Sequence, residues 1–287
     1  MARANDNWSE LCRRTDDDDG LPTRKTHAGT FLKLWWWHRY VAITTEALVR
    51  PGKWPNHLVY VDLFAGPGVL ESRGEGRRFP GSPMIAAHTP KPFDRLIFCE
   101  QNRRLADACE KRLANWGAAD RSIVVCGDCN ERIGEIAASI LGDSLTLAFV
   151  DPTGLHARFE TLETLVTDRS VDLLILFADR MDIVRNIERY HDETSPKLDA
   201  MLGPQSDWRV QWSKLDNRSP ENICRMFNAI YERQLKRWFG YTEFGSEVIR
   251  MPSGRGLYTI LFASRHHLGK KFWQESTKTL IDGKRLL

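Results

Sequence analysis

Val59-Tyr60-Val61-Asp62-Leu63-Phe64-Ala65-Gly66-Pro67-Gly68 decides the reading of this chain. Apolar and β-favouring residues lead into an acid, and two glycines spaced G-x-G follow. This is the pattern of a buried parallel strand entering a tight turn. Glycine has no side chain and tolerates positive φ, so the backbone of such a turn can approach a ligand closely. In open α/β sheets, nucleotide-like ligands bind there, beyond the carboxyl ends of the strands.

The alternation continues outward from that stretch. A strand is read at 58–64. Ser82-Pro83 has the form of an N-cap and first-turn proline opening a short helix at 84–88. Further strands are read at 95–99, 122–126, 145–150 and 171–177, with helices at 103–116, 130–141 and 159–166. Upstream, Phe31, Leu34, Trp35, His38, Val41, Ala42 and Thr45 recur at helical spacing. They predict a helix over 26–49 that Pro51-Gly52 stops. Residues 1–24 are polar and include the run Asp16-Asp17-Asp18-Asp19, which reads as a mobile arm. Residues 181–240 read as mostly helical, with breaks at Ser195-Pro196 and Gly203-Pro204 and a helix opened by Ser219-Pro220-Glu221. Strands at 247–251 and 257–264, joined by Pro252-Ser253-Gly254-Arg255-Gly256, predict a hairpin.

Repeated β-α units specify an α/β fold whose mainly parallel sheet carries helices on both faces. The expectation is a Rossmann-like fold with seven strands, the last two an antiparallel C-terminal hairpin. One domain is expected over 25–287: an N-terminal helix (25–50), a core (57–178), a helical insertion (179–240) and a terminal hairpin and tail (241–287).

Composition narrows the class. The 287 residues are 42% hydrophobic, ample for a core, and the net charge of +3 does not by itself point to a nucleic-acid partner. No apolar run is long enough to span a bilayer, and the N-terminus lacks a signal-peptide h-region. Six scattered cysteines fit a reduced, cytoplasmic protein better than a disulfide framework. Ten tryptophans imply extensive aromatic packing, a binding surface, or both.

Four predicted strands end in acids, Asp62, Glu100, Asp128 and Asp151, which the sheet would align along one edge. The bland alternative is that these acids only cap the following helices. A nicotinamide dehydrogenase fits poorly. Its G-x-G-x-x-G would need a third glycine where Glu71 stands, and Glu100 comes later than its ribose acid should. The segment 71–81 also intrudes before the helix, uncoupling the turn from a pyrophosphate-binding helix end. A cofactor with a sugar and a base but no pyrophosphate fits better. Glu100 would accept from both ribose hydroxyls, Asp128 from an adenine amino group, and Asp62 would meet an ammonium. With Phe64, Ala65, Gly66 and Gly68 of the turn, and Gln101 and Cys129 beside the acids, they form the candidate cofactor site.

Those roles resemble the class I S-adenosylmethionine-dependent methyltransferases over about residues 58–177. At closer range the chain is similar to the three-Cys-motif partner (TcmP) family. The resemblance rests on the opening stretch, Gly81-Ser82-Pro83, Phe98-Cys99-Glu100, Gly127-Asp128-Cys129-Asn130, Phe149-Val150-Asp151-Pro152-Thr153-Gly154-Leu155 and Ser264-Arg265-His266-His267-Leu268-Gly269. It implies a class I methyltransferase fold, S-adenosylmethionine as cofactor, and a partner protein carrying a three-cysteine motif.

Asp151, Pro152 and Gly154 lie where methyltransferases place their catalytic loop. The stretch resembles the D-P-P-Y loop of enzymes that methylate exocyclic amines, and still more the D-P-x-G loop of transfer-RNA guanine methyltransferases. A carboxylate and a backbone carbonyl accepting the amine's N–H bonds would aim its lone pair at the methyl. The aromatic of D-P-P-Y, which would stack on a flipped base, is missing; the bland alternative is an Asx-Pro turn. Cytosine-C5 chemistry is excluded, because no Pro-Cys dipeptide exists. Cys126 and Cys129 have half-site spacing without a second pair, so no metal ligands are assigned.

Arg73, Arg77 and Arg78 in the 71–81 insertion are candidate substrate contacts, with Lys270 and Lys271 as further cations. Trp35 is read as core, while Trp36 and Trp37 stay open between core and single-strand binding. Three readings result: a methyltransferase acting on a nitrogen of a nucleic-acid base or nucleotide; an accessory component that binds a partner protein; and a metal enzyme using the edge acids.

Overall fold

The computed structural model describes residues 2–26, 29–48, 57–192, 196–251 and 253–278. The expected helix stop at Pro51-Gly52, Ser195 and Pro252 lie outside the described residues. In chain order the elements begin with α1 (Ala2–Asp16), β1 (Arg24–Thr26), α2 (Gly29–Leu48), β2 (His57–Asp62), β3 (Val69–Ser72), β4 (Arg78–Pro80), α3 (Ser82–Ala87) and β5 (Arg95–Glu100). There follow α4 (Arg103–Asn115), β6 (Ser122–Cys126), α5 (Cys129–Ala138), β7 (Ser144–Val150), α6 (Phe159–Val166) and β8 (Ser170–Phe177). The chain continues through α7 (Val184–Asp192), α8 (Pro196–Leu202), α9 (Trp208–Ser213) and α10 (Pro220–Phe239), then β9 (Glu243–Arg250), β10 (Gly256–Ser264) and α11 (His267–Thr277).

Seven strands form one sheet in the order β6-β5-β2-β7-β8-β10-β9. The first five are parallel, while β10 pairs antiparallel with both β8 and β9. Strands β7 and β8 are almost wholly buried, as continuous apolar runs covered on both faces must be. From β2 the chain builds outward through β5 to β6, then returns to the other side of β2 with β7. The strand order therefore reverses between β2 and β7, and a ligand crevice opens at such a reversal. Register places Asp62 beside both Phe98 and Phe149, so the strand ends converge there.

The expected arm at 1–24 instead holds helix α1 over Ala2–Asp16, followed by a segment tied to the core. Trp8, Leu11 and Thr15 are buried along one face of α1, and Trp8 meets the Trp35 ring edge-on at 5.4 Å. Their i, i+3, i+7 spacing was masked by the polar residues around them. The acidic run has a structural use: Asp18 and Asp19 pair with Arg78, and Asp19 also pairs with Arg112. Beyond it, β1 joins β3 and β4 in a small second sheet.

Helix α2 covers the main sheet with its aromatic run. Trp35, Trp36 and Trp37 are all buried. Trp37 stacks on Phe149 at 4.9 Å and donates its indole N–H to the Tyr60 hydroxyl at 2.9 Å. The run is thus core rather than a base-stacking surface. Tyr40 donates to the buried Asp172 at 2.8 Å. At the other end α11 was read as tail. His266 caps it by accepting from the Leu268 N–H, and Trp273 stacks on Phe262. Lys270 is held by Glu243 at 3.5 Å. No helix among the described residues is long and apolar enough to cross a membrane.

Candidate functional site

The β2 turn is fixed by its neighbours. The Leu63 N–H donates to the Phe149 carbonyl at 3.1 Å and the Ala65 N–H to Cys99 at 2.9 Å. Gly66 and Gly68 have φ of +66° and +86°, which side-chain-bearing residues adopt only with strain. The 71–81 excursion does not displace the following helix. Its hairpin returns Gly81, whose N–H donates to the Gly68 carbonyl at 2.8 Å, so α3 starts against the turn. A Cβ on Gly81 would lie 3.0 Å from that carbonyl oxygen, which explains the glycine.

Asp62 is fully buried at the end of β2. One oxygen accepts from the Phe64 N–H at 3.1 Å; Oδ2 has no hydrogen-bond partner among the described residues. Burial pushes its carboxyl up to about 7, against the pull of the nearby Ser82 hydroxyl and of that N–H, and the nearby Asp151 charge adds to the rise. An orphaned buried carboxylate oxygen is costly and awaits a donor or cation.

Glu100, 5% exposed, ends β5 and accepts three hydrogen bonds. Oε1 takes the Asn102 N–H at 2.9 Å; Oε2 takes the Gly66 N–H at 2.9 Å and the Arg24 guanidinium at 3.1 Å. Asp128 caps α5 by accepting from the Asn130 N–H at 2.8 Å. The Asn130 side chain then reaches the His156 carbonyl, the Arg158 N–H and the Thr161 hydroxyl, pinning the loop after β7. Cys129 is buried beside Asp128, and burial pushes its thiol up to about 12, so it packs rather than reacts.

Asp151 stands just beyond β7, paired with the buried ammonium of Lys33 from α2. Burial raises its carboxyl, against the pull of Lys33. In the same loop, a Cβ on Gly154 would approach Asp182 Oδ2 to 3.0 Å, so the loop lies close to the helical insertion.

Two cavities meet here. The larger, about 500 Å³, is lined by Leu63, Phe64, Glu100, Gln101, Asp128 and Cys129 among others. The smaller, about 240 Å³, is lined by Lys33, Ala65, Gly66, Pro152, Met181 and Tyr258 among others. Arg24, Phe64, Asp151 and Thr153 face both. The predicted arginines are elsewhere. Arg73 and Arg77 are exposed on the β3–β4 hairpin, and Arg78 is buried against Asp18 and Asp19, so it serves the N-terminal segment and not a substrate. None of the three lines either cavity; the cations that do include Arg24, Lys25, Lys33, Arg158 and Lys197.

Sequence reasoning missed Arg24, Lys33, Asn130 and Arg112. Arg112, 1% exposed, makes five hydrogen bonds: two to Asp19 and one each to the carbonyls of Leu21, Pro22 and Pro67. It ties the N-terminal segment to the glycine turn. Three of the four left a signal, Asn130 standing in the Gly127-Asp128-Cys129-Asn130 stretch. Arg112 lies on the buried face of α4 with Ala106, Cys109 and Leu113, and Lys33 lies one helical turn from Trp37. Arg24 left none, because it reaches the site through the pairing of β1 with β3.

The features a nucleoside-bearing sulfonium cofactor requires are present: a glycine cradle, an orphaned carboxylate oxygen for its cationic part, and acids at successive strand ends. Among the described residues no group of three or more histidine, cysteine or acidic side chains is placed to hold a metal ion.

No protein-family model matches the chain, and no curated protein is detectably similar to it. Among solved structures, the chain is similar to protein LPL1258 from Legionella pneumophila, described by the family model DUF519. The two share 12% identity over 88% of this chain and 93% of that one, with a TM-score of 0.51. A putative O-methyltransferase from Klebsiella pneumoniae aligns at 10% identity and a TM-score of 0.43, over 92% of this chain and 89% of that one. The O-methyltransferase TomG from Streptomyces achromogenes, solved with S-adenosylmethionine, aligns at 11% identity and a TM-score of 0.40, over the same shares. Likeness at these identities concerns the fold alone, and the seven-stranded, mostly parallel sheet is Rossmann-like.

Proposed function

We propose that this chain is an S-adenosylmethionine-dependent methyltransferase acting on an exocyclic nitrogen of a nucleic-acid base or nucleotide. The observation that carries the reading is the junction of two cavities at Phe64, Asp151 and Thr153. The larger suits a nucleoside, with Glu100 for the ribose and Asp128 for the adenine amine; Asp62, buried behind the turn and lining neither cavity, is assigned the charged end from its place at the end of β2. When bound, the cofactor supplies an electrophilic methyl. The smaller cavity gives a substrate amine access to the junction. Asp151, its charge balanced by Lys33, has a second oxygen to accept an amine N–H and aim the lone pair. Tyr258 and Phe64 offer the aromatic walls that the Asp151–Gly154 loop lacks, and the buried Tyr258 hydroxyl has no partner among the described residues.

The test is transfer of labelled methyl to DNA, RNA and free nucleotides, with Asp151→Ala in parallel. Transfer lost in the variant, with cofactor affinity unchanged within about threefold, supports the reading. The second reading is an accessory component of a three-cysteine-motif protein. It draws on the similarity to the TcmP family and on the cations that already pair Glu100 and Asp151. Cofactor binding without transfer to any of these acceptors favours it.

A further inference from the structure

The cofactor proposed above carries one group that none of the edge acids can receive: the carboxylate of its methionine portion. A cation at the glycine turn would receive it best, through charge-assisted hydrogen bonds. Lys33 is committed to Asp151, and Lys25 extends to Glu71 at 3.7 Å with two-thirds of its side chain in solvent. Arg158 and Lys197 line only the larger cavity, on the side of Asp128. Arg24 faces both cavities, and its guanidinium lies 3.8 Å from where a Cβ on Gly66 would stand.

Arg24 also occupies Glu100. With the Gly66 and Asn102 N–H groups it fills three of the carboxylate's roughly four acceptor positions. Glu100 cannot accept from two ribose hydroxyls while that ion pair holds. The backbone around Arg24 is fixed, since Arg112 holds the Leu21 and Pro22 carbonyls and β1 is registered on β3 from Arg24 to Thr26. The Arg24 side chain is 36% exposed against 5% for Glu100, so of the two it is the one with open space beside it.

We propose that Arg24 is the receptor for the cofactor carboxylate, and that binding exchanges its partner. In the free protein it neutralises Glu100; in the complex it pairs with the methionyl carboxylate and releases Glu100 to the ribose. One carboxylate replaces another, so the guanidinium is never left unpaired in a half-buried position. The inference rests on the cofactor reading above.

The test is calorimetric titration of the full chain and of Arg24→Ala and Arg24→Gln. The probes are S-adenosylhomocysteine and 5′-methylthioadenosine, which keeps the nucleoside and thioether but lacks the amino-acid portion. Both variants are expected to bind S-adenosylhomocysteine at least tenfold more weakly than wild type. They are expected to bind 5′-methylthioadenosine as tightly as wild type or more so, because Glu100 starts free. Equal weakening of both probes by variants that melt like wild type overturns the exchange, as does no change in either. Wild type that binds S-adenosylhomocysteine no better than 5′-methylthioadenosine also overturns it. Wild type that binds neither probe overturns the cofactor reading itself, and the exchange with it.

Discussion

Lys33 and Asp151, 118 residues apart in sequence, form an ion pair at the junction of the two cavities. The Lys33 ammonium also lies 5.9 Å from the ring centroids of both Phe149 and Tyr258. It is 6% exposed, so the pair exists largely out of water. Removing one partner strands the other charge. Lys33→Met is expected to cost about 3 kcal/mol in urea unfolding, and Lys33→Met combined with Asp151→Asn is expected to recover most of that. A double variant no more stable than the single would mean that the two residues are not coupled.

If Asp62 receives the cationic end of the cofactor, as proposed, cofactor affinity depends on pH. Its carboxyl titrates near 7 in the folded chain against an ordinary 3.8. Between those values the folded protein holds a proton that the unfolded chain has released. This group's contribution to stability therefore falls as pH rises from about 4 to 7 and levels off above. Cofactor binding has the opposite trend, because a cation prefers the ionised form. Affinity is expected to rise with pH by at most about tenfold per unit below 7 and to plateau above. Asp62→Asn should be weak and flat. Titrations in two buffers of different ionisation enthalpy would show proton release below pH 7; no release would remove Asp62 from the site.

Gly81→Ala tests the hairpin's closure on the turn. The added methyl meets backbone oxygen rather than a yielding side chain. A loss of about 1–3 kcal/mol is expected, together with weaker cofactor binding. Gly74→Ala, at a hairpin position where a Cβ meets nothing within 4 Å, is the control for hairpin strain alone. A turn that tolerates Gly81→Ala without change would show that the close approach is unimportant.

Arg112→Lys keeps the charge but not the planar fork that serves Asp19 and three carbonyls at once. Limited proteolysis is expected to begin within residues 17–23 of the variant under conditions where wild type resists. Acid should do the same. Burial pushes Asp19 up, but its bonds to Arg112 and Arg78 outweigh this and hold its carboxyl at about 2. The support it lends is complete above about 4 and is lost as pH falls toward 2.

The fold was legible because the parallel strands are short apolar runs, four of them (β2, β5, β6 and β7) with an acid at or within two residues of the end, and each ends where its hydrophobic pattern ends. The edge acids were legible for the same reason. Their present partners were not. Arg24 reaches Glu100 and Lys33 reaches Asp151 through tertiary pairing, which local periodicity does not encode. The N-terminal helix was missed because its few apolar residues are diluted by charge, although Trp8, Leu11 and Thr15 keep helical spacing. The arginines of the insertion were misplaced because a charge run does not say which member turns inward, and Arg78 does.

The bonds from Arg112 also bear on how the protein is made. Asp19 and its arginine are 93 residues apart. At ordinary translation speeds that gap is on the order of ten seconds. For the first part of it, until Arg78 is made, the acidic run has no guanidinium to meet, and throughout it the glycine turn, already synthesised, lacks the clamp on Pro67. The sheet itself waits longer, since β10 must enter between β8 and β9. The segment around Asp19 thus settles well after it is made, and the ligand turn stays unfinished until Arg112 emerges.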